Sequence, residues 1–169
     1  MDARIIKTKQ AIQSAIIYLM RNKPLSEITV SELCTNAGIN RNTFYSHYNT
    51  PRSVVEEISK ALLFELDKVA KQNADGLEIC LSVCNFLFQN RDIFNVLSSE
   101  NVENAYEQIA IEQARNDAKL SAKDEQYLYS SEFIIGGCVF VLKKWLKEGE
   151  ESPEKMGSFI HEQFIKYLK

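Results

Sequence analysis

Apolar side chains recur every three to four positions along most of this chain, which is the spacing of amphipathic α-helices. A first helix is predicted from about Arg4 to Arg21, with Ile12, Ile16 and Leu19 on its apolar side. Pro24 then ends this helix, because proline cannot continue the helical hydrogen bonds. No segment alternates apolar and polar residues over the length of a strand. The pattern therefore predicts an all-α fold of about nine helices.

The next two predicted helices are short and are joined by a glycine. Thr29 and Glu32 form a capping-box pattern at the start of helix 2, in which each side chain bonds the backbone amide of the other residue. Gly38 is expected to end helix 2 in a left-handed conformation, and Asn40 to cap a third helix that runs to about His47. Two short helices around a tight glycine turn are the helix-turn-helix pattern, so the first three helices are a candidate DNA-binding head.

Helix 3 has one apolar side and one polar side. Ile39, Phe44 and Tyr48 are spaced to anchor it to the core, which leaves its polar side chains facing outward. In a major groove Arg can read guanine and Asn can read adenine, whereas Tyr, Thr and His can donate to phosphates. The residues predicted to contact DNA are Thr29, Asn40, Arg41, Asn42, Thr43, Tyr45, His47 and Arg52. A polar surface turn without DNA contact would have similar spacing, so spacing alone leaves both interpretations open.

Beyond residue 50 the pattern predicts a helical bundle. Thr50 and Pro51 are typical of a cap and a first helical position, and they begin a helix that runs to about Lys71. Further helices are predicted near residues 77–89, 91–97, 100–120, 124–148 and 153–168. We therefore expect a DNA-binding domain at residues 1–50 and a helical ligand-binding and dimerisation domain at residues 51–169.

Charge is distributed unevenly along the 169 residues, whose formal net charge is −3. Residues 1–52 contain seven Lys and Arg but only three Asp and Glu, a net charge of +4, so the remainder carries −7. A basic head places the attraction for phosphate at one end of the chain. No apolar run approaches the roughly 20 residues that span a bilayer, and the first residues lack the apolar region of a signal peptide. We expect a cytoplasmic protein without membrane contact.

The sequence lacks the common catalytic motifs. It contains no HExxH, no phosphate-cradling glycine loop, no dinucleotide fingerprint and no Ser-His-Asp order, so we expect neither enzymatic activity nor a cofactor. Cys80 and Cys84 are four residues apart and could form a metal or redox pair, but no second pair and no clustered histidine accompanies them. Small buried apolar side chains are the simpler interpretation, and no metal site is predicted.

The stretch from Ile28 to Tyr48 resembles the DNA-binding head of the tetracycline-repressor (TetR) family. The resemblance lies in the Ile-Thr-Val segment, the Ala-Gly-Ile turn and the run Thr43, Phe44, Tyr45, His47 and Tyr48. More loosely, Gly136-Gly137 followed by Trp145 resembles a subgroup from Gram-positive bacteria that includes regulators of dihydroxyacetone kinase operons. The resemblance implies a transcriptional regulator, usually a repressor, that binds a palindromic double-stranded DNA operator as a homodimer.

One position departs from the family pattern. The family often has a lysine at the start of helix 4 that binds a DNA phosphate, and this chain has Pro51 there. Proline supplies no donor, so the phosphate contact is in doubt at this position. Arg52 could replace it, and the amides of the helix start could still attract a phosphate.

The long helix near residues 124–148 and the last helix are the candidates for a dimer interface. Gly136 and Gly137 each cost about 1 kcal/mol in a helix interior, which is consistent with the close approach of another helix. The residues predicted at the interface are Phe133, Gly136, Gly137, Phe140, Trp145, Phe159 and Phe164. Packing within the subunit remains the alternative for these faces.

The family resemblance also implies an effector site in the body, which is rich in aromatic and thiol side chains. The residues predicted to bind a small organic ligand are Phe64, Cys84, Phe88, Tyr106 and Tyr127. Three alternatives remain open: aromatics that only fill the core, control by a partner protein, and a helical protein-binding module that does not bind DNA.

Overall fold

A computed structural model of the protein describes residues 3–72, 75–98 and 125–167. Within these ranges the chain forms eight α-helices and no strand, so the predicted all-α fold is confirmed. The helices are α1 (Ala3–Met20), α2 (Val30–Ala37), α3 (Arg41–Tyr45), α4 (Pro51–Lys71), α5 (Gly76–Gln89), α6 (Arg91–Ser98), α7 (Glu125–Glu148) and α8 (Pro153–Tyr167). A short 3-10 helix, Leu25–Glu27, precedes α2. The helix predicted near residues 100–120 lies outside the described residues.

The described residues separate into two compact units. The first contains residues 3–62 and 96–98, and the second contains residues 63–72, 75–95 and 125–167. The division falls within α4, whereas the sequence places a domain boundary at residues 50 and 51; that boundary stays a prediction. No described helix is both long enough and apolar enough to cross a membrane.

Local capping interactions define the helices of the first unit. The Glu32 amide donates to Thr29 Oγ1 at 3.2 Å, which confirms the predicted cap of α2. The predicted reciprocal bond from the Thr29 amide to the Glu32 side chain does not form between these two described residues, and Glu32 Oε2 instead accepts a hydrogen bond from Lys23 Nζ at 2.5 Å. A charged donor binds a carboxylate more strongly than a neutral amide does. Gly38 ends α2 with a φ of 65°, the predicted left-handed conformation.

The start of α4, unlike that of α2, has a mutual cap. The Ser53 amide donates to Thr50 Oγ1 at 3.2 Å, and the Thr50 amide donates to Ser53 Oγ at 3.3 Å. Pro51 occupies the first helical position, where an amide proton would have no helical acceptor. The polypeptide that follows α3 is therefore joined to α4 by a short, hydrogen-bonded connection.

In the second unit α5 and α8 pack at close range around Gly157. A Cβ atom at Gly157 would lie 2.9 Å from the Leu81 Cα and 3.1 Å from the Cys80 carbonyl oxygen, both of which are backbone atoms. Only a glycine fits between α8 and α5 at this point without a backbone shift. The close contact fixes the two helices against each other.

Candidate nucleic-acid interface

The helix α3 rests on two aromatic side chains. Phe44 is fully buried and Tyr48 is buried, and their rings lie 6.0 Å apart between centroids. Two of the three predicted anchors are therefore in the core, and the third, Ile39, is half-buried. Backbone amides of His47 and Tyr48 both donate to the Phe44 carbonyl at 2.9 Å, so the chain tightens after Tyr45. The predicted end of the helix near His47 is two residues too late for this reason.

The opposite side of α3 carries exposed polar side chains. Asn40, Arg41 and Asn42 are exposed, and Tyr45 is 55% exposed with its ring edge against Phe44. Four of the residues predicted to contact DNA thus share one short surface, and their chemistry suits both base edges and phosphates. The remaining four are placed less uniformly: Thr29 and Arg52 are exposed, and Thr43 and His47 are half-buried.

Two of the predicted DNA contacts also have a structural role. Asn40 Oδ1 accepts a hydrogen bond from the Thr43 amide at 2.8 Å, which caps α3, and Thr29 caps α2. The Asn40 side-chain oxygen is therefore engaged in the helix-turn-helix itself. Its amide nitrogen is left as the group that could donate to DNA.

Ion pairs neutralise part of the basic charge of the first unit. Lys9 Nζ binds Glu57 Oε2 at 2.7 Å, and Lys23 is paired with Glu32, so neither lysine presents an uncompensated charge. Arg41 and Arg52 are exposed, one at the start of α3 and one in the first turn of α4. Arg41 and Arg52 are therefore the exposed basic side chains on and beside α3 that could attract phosphate.

A polar cluster of Lys9, Gln13, Tyr48 and Glu57, here called the Tyr48 cluster, joins three parts of the first unit. The Tyr48 hydroxyl donates to Glu57 Oε1 at 2.9 Å, and Gln13 Nε2 donates to the same oxygen at 3.1 Å. Lys9 completes the cluster through its ion pair with Glu57, and its Nζ lies 5.3 Å from the centre of the Tyr48 ring. Sequence reasoning identifies the Tyr48 ring but misses the other three residues, since separations of 9 to 48 positions leave no periodic signal.

The electrostatics of this cluster favour a neutral phenol and an ionised carboxylate. Burial, reinforced by the neighbouring Glu57, raises the pKa of Tyr48. Burial alone would raise the pKa of Glu57, but hydrogen bonds from Lys9, Tyr48 and Gln13 outweigh it and the pKa of Glu57 is lowered. The phenol therefore remains a donor and the carboxylate remains an acceptor near neutral pH.

One face of α7 exposes aromatic side chains. Tyr129, Phe133 and Phe140 are 69%, 83% and 70% exposed, and their spacing places them on the same side of the helix as Gly136 and Gly137. A Cβ atom at either glycine would meet no described atom within 4 Å, apart from its own helix backbone. Within the described subunit, close helix packing does not account for the two glycines.

The other residues predicted at a dimer interface are distributed between the surface and the core. Phe159 on α8 is exposed and Phe164 is half-buried. Trp145 is only 3% exposed, stacks on Phe88 at 5.6 Å and donates from Nε1 to the Glu151 carbonyl at 2.9 Å. These contacts place Trp145 in the core of its own unit, so we leave it out of the exposed face.

The predicted ligand-binding residues do not share one environment. Phe64 is exposed, Cys84 is buried, and Phe88 is half-buried against Trp145. Tyr106 and the side chain of Tyr127 lie outside the described residues. Burial raises the pKa of Cys84 to about 12 and that of Cys80 to about 11, so both thiols are protonated at neutral pH and resemble small apolar groups. The effector site stays a prediction.

These features define an all-helical protein with a helix-turn-helix head, and comparison with known proteins identifies its family. A TetR C-terminal family model, described as a transcriptional regulator C-terminal region, matches residues 75–166. The match covers more than half of the chain. The chain therefore belongs to the TetR family of transcriptional regulators, as its sequence resemblance implies.

Solved structures share this helical fold at low sequence identity. A TetR transcriptional regulator from Streptococcus agalactiae 2603V superposes with a TM-score of 0.74 at 22% identity, covering 95% of both chains. The fatty acid degradation regulator FadR from Bacillus halodurans gives 0.67 at 16% identity, covering 96% of both. The dihydroxyacetone kinase operon activator DhaS gives 0.61 at 16% identity, covering 95% of this chain and 96% of that one. No curated protein matches the sequence.

Proposed function

We propose that this regulator binds a palindromic DNA operator as a homodimer and represses transcription by occupying a promoter. The observation that carries the proposal is the two-sided character of α3: Phe44 is fully buried, whereas Arg41, Asn42 and Tyr45 are exposed on its other side. A major groove about 12 Å wide admits one helix with such side chains. A helix that is held by a buried apolar side and exposes a polar side is suited to recognising a base sequence, because base recognition requires side chains in fixed positions.

Each predicted DNA contact has a defined part in this proposal. Arg41, Asn42 and the Asn40 amide nitrogen face base edges, and Tyr45, Thr43 and His47 donate to phosphates beside them. Thr29 and Arg52 contact the backbone on either side, and Arg52 supplies the charge that Pro51 lacks. The assignment divides the residues into those that read sequence and those that set position.

The dimer forms through the exposed face of α7 together with α8. Tyr129, Phe133 and Phe140 would leave a large apolar area in water in an isolated subunit, and such areas mark association surfaces. Gly136 and Gly137 allow a second copy of α7 to approach closely at the centre of this area. With Phe159 and Phe164 from α8, each subunit contributes two helices to a symmetric four-helix interface.

A dimer explains how a short reading helix can bind usefully. Two heads held about 34–36 Å apart, or a multiple of that distance, contact two half-sites of a palindrome. Repression then follows from occupancy of promoter DNA, and the predicted cytoplasmic location is compatible with this role. The DhaS structure is named as an operon activator, so activation is the outcome that a reporter assay must distinguish. Release by a small organic effector or by a partner protein remains a prediction.

The test uses the full-length protein and duplexes that it selects from a randomised pool. Binding is measured between about 50 and 200 mM salt, over which a protein that contacts several phosphates loses affinity steeply. Arg41→Ala should lower affinity for the selected duplex by roughly tenfold or more. Arg41→Lys is the matched control: it keeps the charge, so it should retain binding to unrelated DNA while losing much of the discrimination. The proposal fails if no duplex is enriched, or if neither variant changes discrimination.

A further inference from the structure

The Tyr48 cluster has a composition that core packing alone does not require. Tyr48 is 5% exposed, and a phenylalanine ring would fill the same space without burying a hydroxyl. A buried hydroxyl costs free energy unless it is hydrogen-bonded, and here it meets a carboxylate at 2.9 Å. Apolar contact is non-directional, whereas a bond from a phenol to a carboxylate has a preferred direction. The hydroxyl therefore adds orientation to a site where the ring already supplies burial.

The cluster is connected to α3 through a short path. The Tyr48 amide donates to the Phe44 carbonyl at 2.9 Å, and the two rings are in contact, so a shift of Tyr48 is transmitted to the anchor of α3. On the other side, Glu57 lies in the second turn of α4, and Lys9 and Gln13 lie one turn apart on α1. The Glu57 carboxylate is thus the common acceptor for donors from α1 and from the chain that follows α3.

We propose that the Tyr48 cluster positions α3 for sequence-specific DNA binding, with Glu57 as the acceptor that orients Tyr48 relative to α1 and α4. The inference rests on the proposed function. Base contacts demand donors and acceptors in fixed positions, whereas phosphate contacts tolerate small displacements. Loss of the cluster therefore weakens binding to the operator more than binding to unrelated DNA. Lys9, Gln13 and Glu57 act through Tyr48 and are positioning residues.

The test compares two tyrosines of the first unit in the full-length protein. Tyr48→Phe removes only the hydroxyl that binds Glu57, and Tyr18→Phe makes the same chemical change at an exposed position on α1. The probes are a duplex selected by the wild-type protein and a duplex of unrelated sequence. Tyr48→Phe should weaken binding to the selected duplex by roughly five- to tenfold and binding to the unrelated duplex by less than about twofold. Tyr18→Phe should change neither.

A second measurement reports on α3 without DNA. Hydrogen exchange at the amides of Phe44, Ser46 and Tyr48 should accelerate in Tyr48→Phe and in Glu57→Gln, but not in Tyr18→Phe. A role confined to general stability would accelerate exchange throughout the first unit and would lower binding to both duplexes alike, which would overturn the inference. Equal discrimination by Tyr48→Phe and Tyr18→Phe would also overturn it while leaving the proposed function intact. If the wild-type protein selects no duplex, the proposed function fails first and the inference with it.

Discussion

Two groups of aromatic residues, one in each compact unit of this protein, have opposite environments. In the first unit Phe44 and Tyr48 are buried beneath a short helix whose outer side chains are mostly polar. In the second unit Tyr129, Phe133 and Phe140 lie exposed along α7. A polar surface supported by buried aromatic rings suits a polar, charged partner such as DNA. An exposed aromatic face suits another protein surface. The contrast supports the proposal that DNA contact and subunit contact involve different parts of the chain.

The largest expected effect is on stability, and it distinguishes the buried side of α3 from its exposed side. Phe44→Ala removes a fully buried ring and should lower the free energy of unfolding by about 3–5 kcal/mol. Tyr45→Ala, at the neighbouring exposed aromatic, should change it by no more than about 0.5 kcal/mol while weakening DNA binding. Denaturant unfolding followed by circular dichroism gives both values. Similar losses of stability in the two variants would contradict the division of α3 into a buried side and an exposed side.

A smaller but still large effect is expected at the aromatic face of α7. Phe133→Asp would place an unpaired carboxylate in the proposed dimer interface and should weaken association by roughly 100-fold, because a buried charge without a partner is strongly unfavourable. Phe64→Asp makes the same change at an exposed phenylalanine of α4 in the same unit and should leave association unchanged. Sedimentation equilibrium measures both. A wild-type monomer, or equal association in both variants, would show that this face does not join two subunits.

The third prediction compares two helical glycines of the second unit. Gly157→Ala places a Cβ atom against backbone atoms of α5, and the forced shift should lower stability by about 1–3 kcal/mol, partly offset by the better helix propensity of alanine. Gly137→Ala meets no described atom and should stabilise the isolated subunit by up to about 1 kcal/mol, while weakening a dimer that needs close approach there. Urea unfolding at low and high protein concentration separates the two effects. A destabilised subunit in Gly137→Ala would mean that the glycine packs within its own chain.

Features set by neighbouring residues were predictable from the sequence. Thr29, Gly38 and Asn40 act within three or four positions of their own place in the chain, so the caps and the turn follow from residue type and spacing. The burial of Phe44 follows from the period of the helix, and Tyr48 keeps the same spacing beyond the end of α3 because its amide donates to the Phe44 carbonyl. These local signals account for the predicted helix-turn-helix.

Features that depend on pairing between distant segments were not predictable. The ion pair of Lys9 with Glu57 spans 48 positions, and nothing in the composition of α1 distinguishes Lys9 from an ordinary surface lysine. Trp145 illustrates the converse: it is among the residues predicted at the dimer interface, but Phe88 stacks on it within the same unit. Amphipathic spacing predicts which side of a helix is apolar, and tertiary packing alone decides which neighbour covers it.

The smallest effect concerns the response of the Tyr48 cluster to acid. The pKa of Glu57 is lower in the folded protein than in the unfolded chain. Its ionised carboxylate therefore stabilises the fold, and this contribution is fully present when the pH is above the unfolded-state pKa of about 4.3. That contribution is lost as the pH falls through the lower pKa that Glu57 has in the folded protein. Glu57→Gln cannot ionise, so the advantage of the wild-type protein over this variant should shrink between about pH 5 and pH 3.

The side chain of Glu57 is 40% exposed, so solvent screening limits this effect to less than about 1 kcal/mol. Glu56→Gln provides the matched control, since Glu56 is the adjacent residue and is exposed. Denaturant unfolding of the three proteins at several pH values gives the difference directly. An advantage over Glu57→Gln that did not vary with pH would mean that the donors around Glu57 do not favour its ionised form. The Tyr48 cluster would then lack a stabilised charged acceptor, and the contrast between this polar cluster in the first unit and the apolar face of α7 in the second would be weaker.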